Sequence, residues 1–245
     1  IPSIINDRYA YLDRLPGGEY ALTPNMRSEA DAVHDENSLL RFAERALLLL
    51  ADHHAITGAS FKDSWALVPA YSTLWIERRK DIYLITDVRD GSAAAAKGIT
   101  PGARLISIGD QPVATAVDAF LADLGVHEYN DEQAGFVARI LAAGRRDRTT
   151  QIGVVTKAGT SRKFASPSFY TAKSQQFGVR SYMDGATRVI EINDVLGDSN
   201  TIAAFDKEMA NVPPGEPLRI DLTNTPSGGN TVIARAIMGW FVPKQ

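Results

Sequence analysis

The sequence predicts an α+β chain of more than one domain, and three observations carry that prediction. Apolar residues recur at three- and four-residue spacing from Leu39 through Leu40, Phe42, Ala43, Ala46, Leu47 and Leu50, the period of an amphipathic helix. From Trp65 the texture changes to short β-branched and aromatic runs, Ala66-Leu67-Val68, Leu74-Trp75-Ile76 and Ile82-Tyr83-Leu84-Ile85, which read as strands. Further on, Thr187 to Ile192, Asp198 to Met209 and Leu218 to Leu222 read strand, helix, strand. That is a βαβ unit, whose crossover should be right-handed.

The elements follow in order. Residues 1–40 mix polar and apolar side chains, with a Pro16-Gly17-Gly18 turn and a Thr23-Pro24-Asn25 break. The first clear helix starts at Ser38 or at the Glu36-Asn37 pair, fades near Asp52 to His54, and ends by Gly58. On that reading His53 or His54 sits at the helix C-terminus as a partner of its dipole. Four alanines, Ala93 to Ala96, closed by Gly98 make a short helix with a C′ glycine. Thr100-Pro101-Gly102 is a turn, Leu105 to Ile108 a strand and Gly109-Asp110 a hairpin turn. Helical spacing returns from Val113 to Leu124 and from Asp131 to Ala143. Arg145-Arg146-Asp147-Arg148 reads as a solvated helix end, and Gln151 to Thr156 and Ser161 to Ala165 as two strands joined by a turn. A change of texture between Thr150 and Tyr182 suggests a domain change. The division expected is 1–65 for a helical region, 66–148 for a small β domain and 149–245 for an α/β segment.

Charge and composition exclude several functions. Basic and acidic residues nearly balance, 26 against 29, without the basic stripe of a nucleic-acid binder. The longest apolar run, Ala46 to Ala51, is far short of the roughly 20 residues that a spanning helix needs. No transmembrane segment is expected. With no cysteine, the chain has neither disulfides nor thiolate chemistry. The histidines His34, His53, His54 and His127 form no HExxH pattern, so no metal site is expected.

The most informative stretch runs from Arg219-Ile220-Asp221-Leu222 through Thr223-Asn224-Thr225-Pro226-Ser227 to Gly228-Gly229-Asn230, then into a helix from Thr231 to Trp240. A strand leading through a Gly-Gly turn into a helix exposes backbone N–H groups to a phosphate, a carboxylate or an oxyanion. A tight strand-to-helix turn that simply needs two glycines is the alternative. No lysine follows the glycines as in a Walker A loop, and Gly-x-Ser-x-Gly is absent.

Two further stretches carry a resemblance. Val88 to Val113 resembles the PDZ pattern of strand, Gly-Ser-x-Ala, Ala-Gly, turn and strand, with Ala93, Lys97, Ala103 and Gly109-Asp110 at positions of departure. Asp52-His53-His54-Ala55 resembles an Asp-x-His motif, and Asp221 to Gly229 resembles an Asp-Leu-Arg-Asn-Asn-x-Gly-Gly signature, with Thr223 in place of the arginine. In this order the three segments resemble the tail-specific, or C-terminal-processing, serine peptidases. That resemblance implies an N-terminal helical segment, a PDZ-like domain and the start of a crotonase-like α/β peptidase core. It implies oxyanion donors at Gly228 and Gly229, and His54 as either a catalytic base or a structural anchor. A peptide-binding groove is implied at Ile82, Tyr83, Leu84, Ile85, Val117 and Leu121, taking a polypeptide or its C-terminus by strand addition. The family's nucleophile follows the Gly-Gly signature well downstream and is expected outside these 245 residues. Ser227 reads instead as a turn residue, and Ser64 is close to Asp52 in sequence only. Neither metal nor organic cofactor is implied, nothing sets the oligomeric state, and a periplasmic or secreted location is expected. The rival readings are a non-catalytic PDZ-type peptide-binding module and a small-molecule hydrolase on a related core.

Overall fold

The computed structural model describes residues 1–67, 72–168, 178–193, 196, 199–223, 225 and 231–242. The chain forms two compact units, Ile1–Ala172 and Lys173–Gln245, and the architecture is mixed α and β with largely antiparallel sheets.

In the first unit, helices α1 (Pro2–Arg8) and α2 (Pro24–Asp31) precede α3 (Glu36–Leu48). The break at Thr23-Pro24 is in fact a helix start: the Thr23 side chain accepts from the Met26 N–H and Pro24 occupies the first turn. The third helix begins ahead of Ser38. Asp35 is its N-cap and Ser38 closes a reciprocal capping box, an arrangement worth about 1 kcal/mol. It also stops at Leu48, so Asp52 to His54 lie beyond its last turn and the dipole reading of the two histidines does not hold.

The first sheet has the order β1 (Leu74–Arg79), β2 (Ile82–Val88), β3 (Arg104–Ile108), β5 (Thr150–Val155), β6 (Ser161–Ser166), with β4 (Gln111–Pro112) paired to β3. Neighbouring strands are antiparallel throughout. The strands β5 and β6, which sequence texture placed in the third segment, extend this sheet because Leu105 and Ile108 register with Val154 and Ile152. The turn between β1 and β2 is Lys80-Asp81, with φ of 48° and 65°, the left-handed pair that a primed two-residue hairpin requires. Three helices complete the unit: α4 (Ala93–Ala96), α5 (Val113–Asp123) and α6 (Asp131–Ala143). The core joins helices and sheet through Met26, Phe42, Ile76, Ile85, Val117 and Phe136, all buried.

Packing of α6 on the sheet depends on Gly135. A Cβ there would lie 3.3 Å from the Arg78 nitrogen and 3.5 Å from the Ile76 oxygen, so the missing side chain lets the helix approach the β1 backbone closely. One turn on, Arg139 Nη1 reaches the Ile76 carbonyl at 2.7 Å. The basic cluster after α6 is not a solvated end. The Arg145 guanidinium lies 4.0 Å from the centre of the Trp65 ring and donates to the Asp63 carbonyl, while the Arg146 N–H donates to the Ser64 carbonyl at 3.0 Å. Together they pin the loop that follows His54.

The second unit carries a three-stranded sheet of β7 (Val179–Asp184), β8 (Thr187–Ile192) and β9 (Leu218–Asp221), in that order. The β7–β8 pair is an antiparallel hairpin; β8 and β9 are parallel, joined through α7 (Ser199–Met209). That is the expected strand–helix–strand unit, and its core is Ile190, Ile192, Phe205 and Met209. The last helix is α8 (Thr231–Met238). Among the described residues no helix is long and apolar enough to cross a membrane.

Candidate active site

The site is built at the exit of α3. The N–H groups of Leu49, Leu50 and Ala51 still bond back to the Ala46, Leu47 and Leu48 carbonyls respectively, and then Ala51 adopts φ 49°. A non-glycine residue in the left-handed region costs about 1 kcal/mol or more. It reverses the chain, so Asp52, His53 and His54 form a tight turn instead of another helical turn.

Within the turn the Asp52 carboxylate is the organising group. Its Oδ1 accepts from the His54 backbone N–H at 2.8 Å and from the His54 ring at Nδ1, 3.1 Å. Its Oδ2 accepts from the Tyr9 hydroxyl at 2.9 Å. Burial pushes the Asp52 carboxyl up, but the hydrogen bonds from the His54 backbone, Tyr9 and the His54 ring outweigh it and hold the group below the usual carboxylate range. Tyr9 responds in the opposite sense: burial first, then the bond to Asp52, push its hydroxyl up to about 12. The turn therefore holds an ionised Asp52 beside a neutral Tyr9 at neutral pH.

The two adjacent histidines meet opposite environments. The His54 side chain is 97% exposed, and with Nδ1 on Asp52 its Nε2 faces outward. His53 is buried against Phe136 and Trp75, with ring centroids 4.7 and 5.8 Å away. Its Nε2 accepts from Arg139 Nε at 2.9 Å, so Nδ1 carries the proton and donates to the Leu67 carbonyl at 2.5 Å. Burial, and next the Arg139 charge, lower its pKa to about 4. His53 is thus a neutral imidazole that locks the turn to β1 and α6, and His54 is the one left open.

Both histidines line a cavity of about 300 Å³, with Tyr9, Tyr11, Arg14, Trp75 and Arg139 among its other walls. Sequence reasoning found Asp52 and His54 through the Asp-x-His spacing. Tyr9 and Arg139 carry no local signal, and the burial of His53 against Arg139 is set by tertiary packing. Ser64 is not beside His54: its hydroxyl is buried and donates to Glu44, 2.7 Å away.

The expected peptide groove is not open. Residues 82–85 belong to β2, which has β1 on one side and β3 on the other, and the Ile85 N–H is bonded to the Ala103 carbonyl at 2.8 Å. Tyr83, Ile85, Val117 and Leu121 are core residues; Leu84 is half-buried and Ile82 is 44% exposed. Strand addition at Ile82, Tyr83, Leu84 and Ile85 would have to displace a neighbour. Gly228 and Gly229, the expected oxyanion donors, and Ser227 lie outside the described residues. Earlier in the chain, hydrogen bonds from the Thr223 side chain and from its N–H, at 2.9 Å, hold the Asp221 carboxyl below the usual range, and the Thr225 hydroxyl donates to the Ile192 carbonyl.

No family model matches the chain, and no curated protein matches it. Its structural neighbours include a C-terminal processing protease. The photosystem II D1 C-terminal processing protease is similar at 12% identity and a TM-score of 0.44, over 83% of this chain and 53% of that one. A CPAF mutant is similar at 14% identity and a TM-score of 0.38, over 91% and 53%. Mature CPAF complexed with lactacystin is similar at 15% identity and a TM-score of 0.31, over 80% and 49%. The chain spans about half the length of the solved structures it matches.

Proposed function

We propose that this chain belongs to a serine-type peptidase of the tail-specific kind that acts on polypeptides, with His54 as general base and Asp52 as the group that orients it. The observation that carries this reading is the Asp52–His54 pair on the cavity wall. A carboxylate bonded to Nδ1 presents the Nε2 lone pair outward, the arrangement that takes a proton from a nucleophilic hydroxyl and returns it to the leaving amine. The alternative role for His54, an anchor, is met instead by His53, which holds Leu67 and Arg139. The nucleophilic serine is proposed to come from outside the described residues, and the amides of Gly228 and Gly229 to stabilise the oxyanion. The small antiparallel sheet with α5 is the part proposed as PDZ-like, and the β8–α7–β9 unit as the start of a crotonase-like core.

The test is hydrolysis of an unstructured polypeptide by the full-length protein. His54→Ala is expected to lower kcat by about 10²–10⁴-fold, the usual contribution of a positioned base, with the unfolding transition unchanged. Unaltered turnover in His54→Ala would remove the histidine from the mechanism and this reading with it.

A further inference from the structure

Arg139 is a half-buried cation without a carboxylate. Its Nε donates to His53 and its Nη1 to the Ile76 carbonyl, and its plane lies 4.4 Å from the centre of the Trp75 ring. Among the described residues no Asp or Glu lies within ion-pair distance of it. Burial pushes the guanidinium below its usual range, and the nearby charges of Glu132 and Glu77 oppose that only in part. Glu77 already binds Arg79. Arg14 stands on the same cavity wall, stacked 4.3 Å from the centre of the Tyr11 ring and likewise without an ion pair.

The cavity therefore has two guanidinium groups with no acid of their own. Its acids are Asp52, which is committed to Tyr9 and His54, and the exposed Glu132. The remaining walls combine apolar and aromatic side chains, chiefly Tyr11, Leu49, Leu50 and Trp75, with the polar His53, His54, Asn130 and Gln133. A pocket that sets fixed polar groups beside an apolar and aromatic wall is a common form of small-molecule site. Arginine is the side chain best matched to a carboxylate, because its planar fork donates two parallel hydrogen bonds. A cation that is partly desolvated and unpaired gains most from a bound anion.

We propose that this cavity binds an organic carboxylate with an aromatic or branched aliphatic body, its charge on Arg139 and Arg14 and its body against Trp75 and the leucines. The inference does not depend on the peptidase reading, since it needs neither the nucleophile nor His54.

The test is titration calorimetry of the full chain with phenylacetate, against phenylacetamide and sulfate. Phenylacetate is expected to saturate one site, with phenylacetamide at least about tenfold weaker because the charge-assisted bonds are lost. Arg139→Gln should weaken phenylacetate by about tenfold or more. That variant also loosens His53, so Arg14→Ala is the deciding one: Arg14 is exposed and its guanidinium stacks on the Tyr11 ring, and its loss should lower affinity severalfold without altering the unfolding transition. The proposal is overturned if phenylacetate shows no saturable binding or if the amide binds equally well. Sulfate matching phenylacetate, or an unchanged affinity in Arg14→Ala, overturns it too.

Discussion

His53 and His54 are joined by one peptide bond and share almost nothing else. The inner side of their turn is packed: His53 is enclosed by Phe136, Trp75, the Leu67 carbonyl and Arg139, and every polar atom of its ring has a partner. The outer side is open: the His54 ring is bonded to the Asp52 carboxylate and is 97% exposed. Both side chains carry the same chemistry, so the difference is purely one of environment. Burial removes the charge from one imidazole and makes it a structural wedge. Exposure beside a carboxylate leaves the other with its Nε2 open to solvent. The left-handed Ala51 makes this possible, because a further helical turn would separate the two directions by only about 100°.

The contrast can be broken experimentally, and the largest effect belongs to the open side. Loss of turnover in His54→Ala by several orders of magnitude should be accompanied by a stability change within about 0.5 kcal/mol, as for other exposed positions. Urea unfolding of the same variant checks the second half. The packed side should behave in reverse. His53→Ala leaves Arg139 Nε and the Leu67 carbonyl unsatisfied and opens a void beside Phe136, so stability should fall by about 2–4 kcal/mol. A loss of under about 0.5 kcal/mol would show that His53 is no wedge.

Acid sharpens the same comparison. Because folding lowers the His53 pKa from 6.5 to about 4, the unfolded chain binds a proton that the folded one refuses. Stability is therefore intact above pH 6.5, declines as pH falls from 6.5 to about 4, and is then level as far as this group is concerned. The loss at the bottom of that window is about 3 kcal/mol at one pKa unit per 1.36 kcal/mol. His53→Gln should flatten this part of the stability–pH curve, and an equal slope in both proteins would end the argument. The smallest effect is expected at Tyr9→Phe, which removes one hydrogen bond from Asp52 and should cost about 1 kcal/mol. It should also raise the acid limb of the activity profile, because the Asp52 carboxylate loses a donor.

Elements whose signals are local were legible. The helix Asp131–Ala143 was read with its observed bounds, since Asn130 and Gln133 supply a capping box and Gly144 ends it. The hairpin at Gly109-Asp110 and the strand Thr187–Ile192 were equally plain. Other turns hid their nature. Lys80-Asp81 forms a left-handed turn without the glycine or asparagine that announces one, so it read only as a charged break. Thr23-Pro24 read as a break because its cap serves a helix with no apolar stripe to mark it. Arg145 read as solvated because no local pattern reports that Trp65 lies across it.

The sequence alone determined elements with local signals, such as the helix Asp131–Ala143 and the strand Thr187–Ile192, and it placed an aspartate two residues before a histidine. Those properties depend on neighbours a few positions away, through hydrogen bonds and period. Only the tertiary structure decided which of two histidines is buried, that β2 has strands on both sides, and that Arg139 lines a cavity whose acids do not pair with it. Each of these follows from groups far apart in the chain being brought together. Burial and charge are properties of that assembled surrounding, and no spacing along the chain encodes them directly.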